Sequence, residues 1–152
     1  MATVSYPKAS GHIGMVPAVE AVCGVCGACE LVCALSHNGA CGPTLRRCWL
    51  DRDYVTSSYE LLTCKQCNHP ECMEACSVGA MYVDEKTRAR CIDPEKCTGC
   101  KACIEACPFG PPRINFDTEK NVAIKCDLCK DRPDGPECIK HCVALCLTLI
   151  RH

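Results

Sequence analysis

Apolar and polar residues alternate along this chain only in short bursts, and the bursts come in pairs. "MYVDEKTRARCI" places apolar positions on either side of a polar DEKT centre, and "RINFDTEKNVAIK" repeats the scheme around DTEK. Each predicts a short β-hairpin. The longer "LRRCWLDRDYVTSSYELL" predicts a further hairpin. No window reaches the eighteen or so uninterrupted apolar residues of a membrane helix. The opening "MATVSYPKASGHIGMVPAVEAV" is an apolar stretch broken by Gly14, Pro17 and Glu20, which makes no signal-peptide core. Neither export nor direct membrane insertion is expected, and a cytoplasmic location is the default.

Composition changes this picture at one residue type. Cysteine supplies 20 of 152 residues, where roughly 8–10% already points to a disulfide scaffold or metal binding. Much of the 48% hydrophobic content is that cysteine, and there are only two Phe, four Tyr and one Trp. A chain so poor in large apolar side chains needs staples to offset its conformational entropy. The net charge of −1 gives no global electrostatic attraction to nucleic acid. In a reducing compartment disulfides are disfavoured, so metal is the expected staple.

Sixteen of the cysteines fall into four groups of four. Cys23, Cys26, Cys29 and Cys33 are spaced C-x2-C-x2-C-x3-C, as are Cys97, Cys100, Cys103 and Cys107. Cys64, Cys67, Cys72 and Cys76 stretch the middle gap to four residues. Cys126, Cys129, Cys138 and Cys142 stretch it to eight, "KDRPDGPE", a turn-rich excursion. A 4Fe-4S cubane presents iron corners that each want a thiolate, and one tight C-x2-C-x2-C loop can meet three of them. In the bacterial two-cluster pattern the last cysteine ligates the partner cluster and a proline follows. Short helices are expected after each fourth cysteine. The fold class is therefore α+β, a duplicated two-cluster ferredoxin-like fold of short hairpins and helices around four clusters. Its single compact chain would hold two interleaved units, an outer one from residues 20–50 with 120–152 and an inner one from residues 60–119.

At these residues the chain resembles the four-cluster ferredoxin-type electron-transfer subunits of anaerobic and respiratory oxidoreductases, such as the dimethyl sulfoxide reductase, formate dehydrogenase and carbon monoxide dehydrogenase systems. "CELVCALSHNG", then Pro43 and the pair Arg46-Arg47, together with "AIKCDLC", look most like the small partners of tungsten aldehyde oxidoreductases and aromatic-ring reductases. The resemblance implies four ligand sets. Cys23, Cys26, Cys29 and Cys142 form one; Cys126, Cys129, Cys138 and Cys33 its neighbour; Cys64, Cys67, Cys72 and Cys107 a third; Cys97, Cys100, Cys103 and Cys76 the fourth. The family proline survives only as Pro108, with Ser77 and Val143 in its place elsewhere. The resemblance also implies a large catalytic subunit with a tungsten or molybdenum cofactor as partner. A flavin or NAD subunit or a soluble ferredoxin would stand at the far end.

Plainer readings stand beside these. Two C-x2-C pairs also make a tetrahedral zinc site, although a triple C-x2-C-x2-C run with a crossing fourth cysteine suits iron–sulfur better. Cys41, Cys48, Cys91 and Cys146 are left over and are expected to fill core; Cys146, four residues past Cys142, is an alternative to it. His37, His69 and His141 read as surface or hydrogen-bonding residues, Trp49 as hairpin packing, and Lys96, Lys101, Lys125 and Lys130 as solvated neighbours of ligands. No G-x-G-x-x-G, Walker loop, H-E-x-x-H or nucleophile triad is present. The expectation is a non-catalytic relay of single electrons. A free-standing polyferredoxin carrier and a zinc-stabilised interaction module are the rivals.

Overall fold

The computed structural model describes residues 7–8, 10–16, 23–56 and 58–151. Pro17, Glu20 and residues 20–22, where the outer unit was expected to begin, lie outside the described residues. The described elements run β1 (His12–Met15), α1 (Ala28–Asn38), β2 (Cys48–Asp53), β3 (Ser58–Thr63), α2 (Glu71–Glu74), β4 (Met81–Val83), β5 (Arg90–Ile92), α3 (Ala102–Glu105), β6 (Asn115–Asp117), β7 (Val122–Ile124), α4 (Glu137–Lys140) and β8 (Leu147–Ile150). The strands pair antiparallel, two by two: β1 with β8, β2 with β3, β4 with β5 and β6 with β7.

Three of these sheets are the hairpins the polar centres predict, and their turns share one device. Asp53, Asp84 and Asp117 each follow or close a strand and accept hydrogen bonds from backbone N–H groups two or three residues on, at 2.8 to 3.2 Å. An aspartate at this place mimics a backbone turn and reverses the chain. In the β4–β5 and β6–β7 hairpins the turn then leaves through a left-handed residue, Arg88 or Asn121. The β1–β8 sheet has no such local signal, because its strands lie at opposite ends of the chain, His12 facing Ile150.

The helices depart from expectation in place. α2, α3 and α4 are single turns that end before the fourth cysteine, and α1 contains both the third and the fourth cysteine of its group. The cause is the residues just beyond those cysteines: Gly79, Pro108 and the left-handed Leu145 stop the chain after Cys76, Cys107 and Cys142. Only after Cys33 does the helix-tolerant "ALSHN" continue, until Gly39 caps it in the left-handed region.

α1 packs on α4 and β2, α2 on α3, and β1 on β3. The principal core contains Ile13, Leu50, Leu61, Leu128 and Leu147, but six of its twelve buried members are cysteines. Sulfur therefore occupies the space that hydrocarbon fills in an ordinary domain. A second, smaller core of Met81, Ile114 and Ala123 lies over Cys72, Cys76, Cys97 and Cys103.

One buried carboxylate ties α1 to the β2–β3 hairpin. Glu30, 7% exposed, accepts from Arg46 Nη1 and the Leu50 backbone N–H at 2.8 Å each, and from Arg52 Nη2 at 2.6 Å. Glu30→Ala leaves two guanidinium groups and one buried N–H without their acceptor, at a cost of roughly 2–4 kcal/mol. The expected outcome is a lower thermal midpoint for the metal-loaded protein, with Glu30→Gln, which keeps an acceptor for Leu50, falling between. Equal midpoints for all three chains would show that Glu30 does not fasten the hairpin.

Candidate metal centres

Each cysteine group opens on a residue in the left-handed region, immediately before its second cysteine: Val25 (φ 54°), Gln66 (φ 52°), Gly99 (φ 73°) and Leu128 (φ 58°). This conformation costs a non-glycine residue roughly 1–2 kcal/mol, and three of the four loops accept it. In return the loop turns N–H groups toward its own sulfur: Val25 N donates to Cys23 Sγ and Gln66 N to Cys64 Sγ, both at 3.4 Å. From elsewhere, Arg47 N reaches Cys33 Sγ and Arg113 N reaches Cys107 Sγ, both at 3.3 Å. Inward-turned N–H groups favour negative charge on those sulfurs. Glycine is required in the third loop for a second reason, since a Cβ at Gly99 would lie 2.4 Å from the Asn121 carbonyl oxygen.

The thiols of different groups then meet. Cys33 joins Cys126, Cys129 and Cys138 around one small cavity, with Cys48 as a fifth thiol in the wall (site II). Cys107 joins Cys64, Cys67 and Cys72 around another (site III). Cys76 joins Cys97, Cys100 and Cys103 around a third (site IV). The four that the resemblance groups together, Cys23, Cys26, Cys29 and Cys142, are labelled site I. There Cys23 and Cys142 pack on the same core as Cys29, in the region where α1 meets α4. Cys26 at site I and Cys100 at site IV are exposed, whereas every cysteine of sites II and III is buried or half-buried.

Such crowding sets the chemistry. Burial, with Glu30 and neighbouring sulfurs, pushes Cys29 up to about 12; burial and four surrounding sulfurs push Cys103 up to about 11. Several thiolates in one buried place need cations among them, and soft sulfur donors select soft or borderline metals and iron–sulfur centres. Cys33 goes the other way. Hydrogen bonding from Cys48, helped by His37 and the Arg47 N–H, outweighs burial and holds it down to about 5.

His37 is a hydrogen-bonding histidine, as expected. Its Nδ1 lies 2.9 Å from the Cys33 carbonyl oxygen and its Nε2 3.1 Å from Asp127 Oδ1, while Arg47 grips the other carboxylate oxygen. One ligand atom each of His37, Asp127 and Cys129 lie within 4.8 Å of one another. Both ring nitrogens are engaged, so the group reads as a brace beside site II. His69 and His141 are exposed.

Two expectations fail. Cys41 does not fill core; it is exposed, with its Sγ 3.7 Å from the Leu31 carbonyl oxygen. The left-over cysteines that are buried are Cys48, Cys91 and Cys146. Lys125 is not solvated: it is 3% exposed in the wall of site III beside Cys64 and Cys72, whose sulfurs outweigh the effect of burial and raise it above its ordinary value. The sequence held one signal for this, since Lys125 joins the apolar strand "VAI" directly to Cys126 with no residue between to lift it outward. Gln66, fully buried, carried no signal at all.

Comparison with known proteins agrees with this geometry. The family described as the 4Fe-4S dicluster domain matches residues 55–152. The electron transport protein HydN of Escherichia coli K12 is 33% identical over 131 residues, covering 74% of each chain. The polyferredoxin-like subunit of the aliphatic sulfonate oxidoreductase of Pyrococcus furiosus is 36% identical over 113 residues, covering 74% of this chain and 62% of that one. AegA of Escherichia coli K12 is 34% identical over 130 residues, but the chain spans only 19% of its length. In fold, the chain is similar to the BamBC active-site complex of benzoyl coenzyme A reductase, with a TM-score of 0.52 at 21% identity, covering 93% of this chain and 79% of that one. Among the described residues no helix is long and apolar enough to cross a membrane. On its cysteine loops, its thiol-lined cavities and these likenesses, the chain belongs to the 4Fe-4S dicluster domain family and is a ferredoxin-type electron-transfer subunit.

Proposed function

We propose that the chain relays single electrons through four 4Fe-4S clusters, one at each of sites I to IV. The relay would link the buried cofactor of a large catalytic subunit, tungsten- or molybdenum-dependent, to an external donor or acceptor. The observation that carries this reading is the set of three separate cavities, each lined by one cysteine of one patterned group and three of another, with Cys48 as an additional thiol at site II. When bound, the clusters supply the one-electron chemistry. The remaining tasks fall to the chain's own residues.

Those residues support a linear order. Cys29 of site I lies close enough to Cys138 of site II for their charges to repel. Cys126 of site II stands in the same relation to Cys64 of site III, and Cys103 of site IV to Cys72 of site III. The order I, II, III, IV follows, and only the end sites expose a ligand. Packing of α1 on α4 and of α2 on α3 supports an outer unit holding sites I and II and an inner unit holding III and IV. The units join where Gln66 Nε2 donates to the Cys126 carbonyl at 2.7 Å and Gln66 Oε1 accepts from Arg90 N at 2.6 Å. Gln66, itself in the Cys64 loop, thus ties the loop of site III to the loop of site II and to β5. The Pyrococcus relative, being a subunit of an oxidoreductase, supports the reading that a catalytic partner completes the path.

Lys125 sets the balance at this junction. A buried ammonium beside Cys64 and Cys72 favours the more negative, reduced form of whatever those sulfurs hold. At an effective dielectric of about 20 and a charge separation of about 7 Å the interaction is roughly 2–3 kcal/mol, on the order of 100 mV for one electron. Lys125→Met is expected to move one midpoint potential negative by that order in an EPR-monitored redox titration, leaving the others near wild type. A titration curve identical to wild type would remove Lys125 from this role.

Native anaerobic purification tests the whole reading. About sixteen irons and as many acid-labile sulfides per chain are expected, with broad visible absorption that bleaches under dithionite. A large subunit carrying tungsten or molybdenum should co-elute. Stripping the iron with a chelator should abolish the folded circular-dichroism signal, because metal ties together segments with little hydrocarbon between them. A colourless, folded protein carrying a few zinc ions would overturn the proposal, and a fully loaded protein recovered alone would reassign it as a free-standing carrier.

A further inference from the structure

Site I has one sulfur more than its cluster needs. Cys142 Sγ and Cys146 Sγ stand 3.4 Å apart. The backbone builds this contact: Leu145, left-handed at φ 53°, donates its N–H to the Cys142 carbonyl at 2.9 Å, so the chain doubles back and sets Cys146 against Cys142. Val16 N then donates to the Cys146 carbonyl at 2.9 Å, fixing the residue to the chain beyond β1. Cys146 is 2% exposed, whereas Cys142 is only half-buried. Cys146 also lies beside Cys23, a second sulfur of the same site.

Metal–thiolate bonds are about 2.3 Å long. Two sulfurs 3.4 Å apart can therefore both lie at bonding distance from a single iron position. With the backbone pinned, rotation about the Cys146 side-chain bonds is the movement such an exchange would use.

We propose that Cys146 is a reserve ligand for the iron corner of site I assigned to Cys142, and that it takes that corner whenever Cys142 is removed or chemically blocked. The proposal rests on the ligand set proposed for site I. When an alkylating reagent blocks Cys142, its sulfur–iron bond is lost and its sulfur bonds to the reagent's carbon as the reagent's leaving group departs. The Cys146 thiol gives its proton to solvent, and the Cys146 sulfur forms the new bond to iron; in C142A only the Cys146 step takes place. No electron changes hands. The more exposed ligand of the pair thus has a sheltered substitute four residues away.

The test uses the full chain, produced without oxygen, as wild type, C142A, C146A, the C142A/C146A double variant and C26A. Iron and sulfide per chain and the EPR spectrum of the reduced protein are measured for each. Wild type and C146A are expected to carry about sixteen irons. C142A should stay within about one iron of that value, with an altered EPR line from the changed ligand. The double variant and C26A, which removes another ligand of the same site, should each lose between about one and four irons. If C142A loses as much as C26A, or fails to fold as C26A does, the proposal is overturned. If C142A and the double variant both keep the full complement and an unchanged spectrum, Cys142 is no ligand and the site I set itself is wrong. A wild type far short of sixteen irons strikes instead at the four-cluster relay, and the proposal falls with it.

Discussion

Sulfur crowding is the constraint on which the rest of this structure depends. Half of the buried members of the principal core are cysteines, and a thiol buries far less hydrocarbon than the leucine or phenylalanine an ordinary domain would place there. Among the described residues the four sheets are two-stranded, and three of the four helices are single turns. Elements so short are marginal alone in water. What joins them is the convergence of thiols from distant segments on common centres, so that loading with metal and folding become one equilibrium. In the proposed relay, architecture and redox chemistry share the same cysteine side chains.

The backbone is shaped for that convergence at a local cost. Left-handed Val25, Gln66 and Leu128 are positions where a helix or strand would be more comfortable. The same conformation aims N–H groups at ligand sulfurs, and negative charge there offsets the strain. These N–H groups favour negative charge on the sulfurs they reach, while burial pushes thiols such as Cys29 and Cys103 up. Around the central junction, fixed charges add to this. His37, Arg47 and Asp127 brace site II, while Lys125 faces site III. The proposed relay is thus most enclosed and most heavily braced in its middle and most open at its two ends, where Cys26 and Cys100 are exposed.

The hairpins were legible in the sequence because their information is local. An aspartate and a few polar residues between apolar triplets define a turn within about ten residues, and β4–β5 and β6–β7 formed where those signals lay. The helices were misplaced relative to the fourth cysteines because periodicity says little over a single turn, whereas Gly79, Pro108 and Leu145 decide where the chain stops. The β1–β8 sheet was not legible, since its two strands meet only after the whole chain has closed. Lys125 was read as solvated and Gln66 was passed over for the same reason: a lysine and a glutamine read as surface residues until the partners that satisfy them, Cys64 and Cys72 for one, Cys126 and Arg90 for the other, are brought in from other segments.

By itself the sequence determined the donor type and the grouping in fours, because spacing within one loop fixes how many thiols can face a common centre. The tertiary structure brings Cys33, Cys107 and Cys76 each against three thiols of another group, as the resemblance implied, and it alone decided which buried cations face which sulfurs and that Cys146 stands against Cys142. Those relations join residues tens of positions apart or turn on a single left-handed residue. They depend on the packing of α1 on α4 and α2 on α3 and on the fold of one tight turn, and no pattern read along the chain encodes where such segments come to rest.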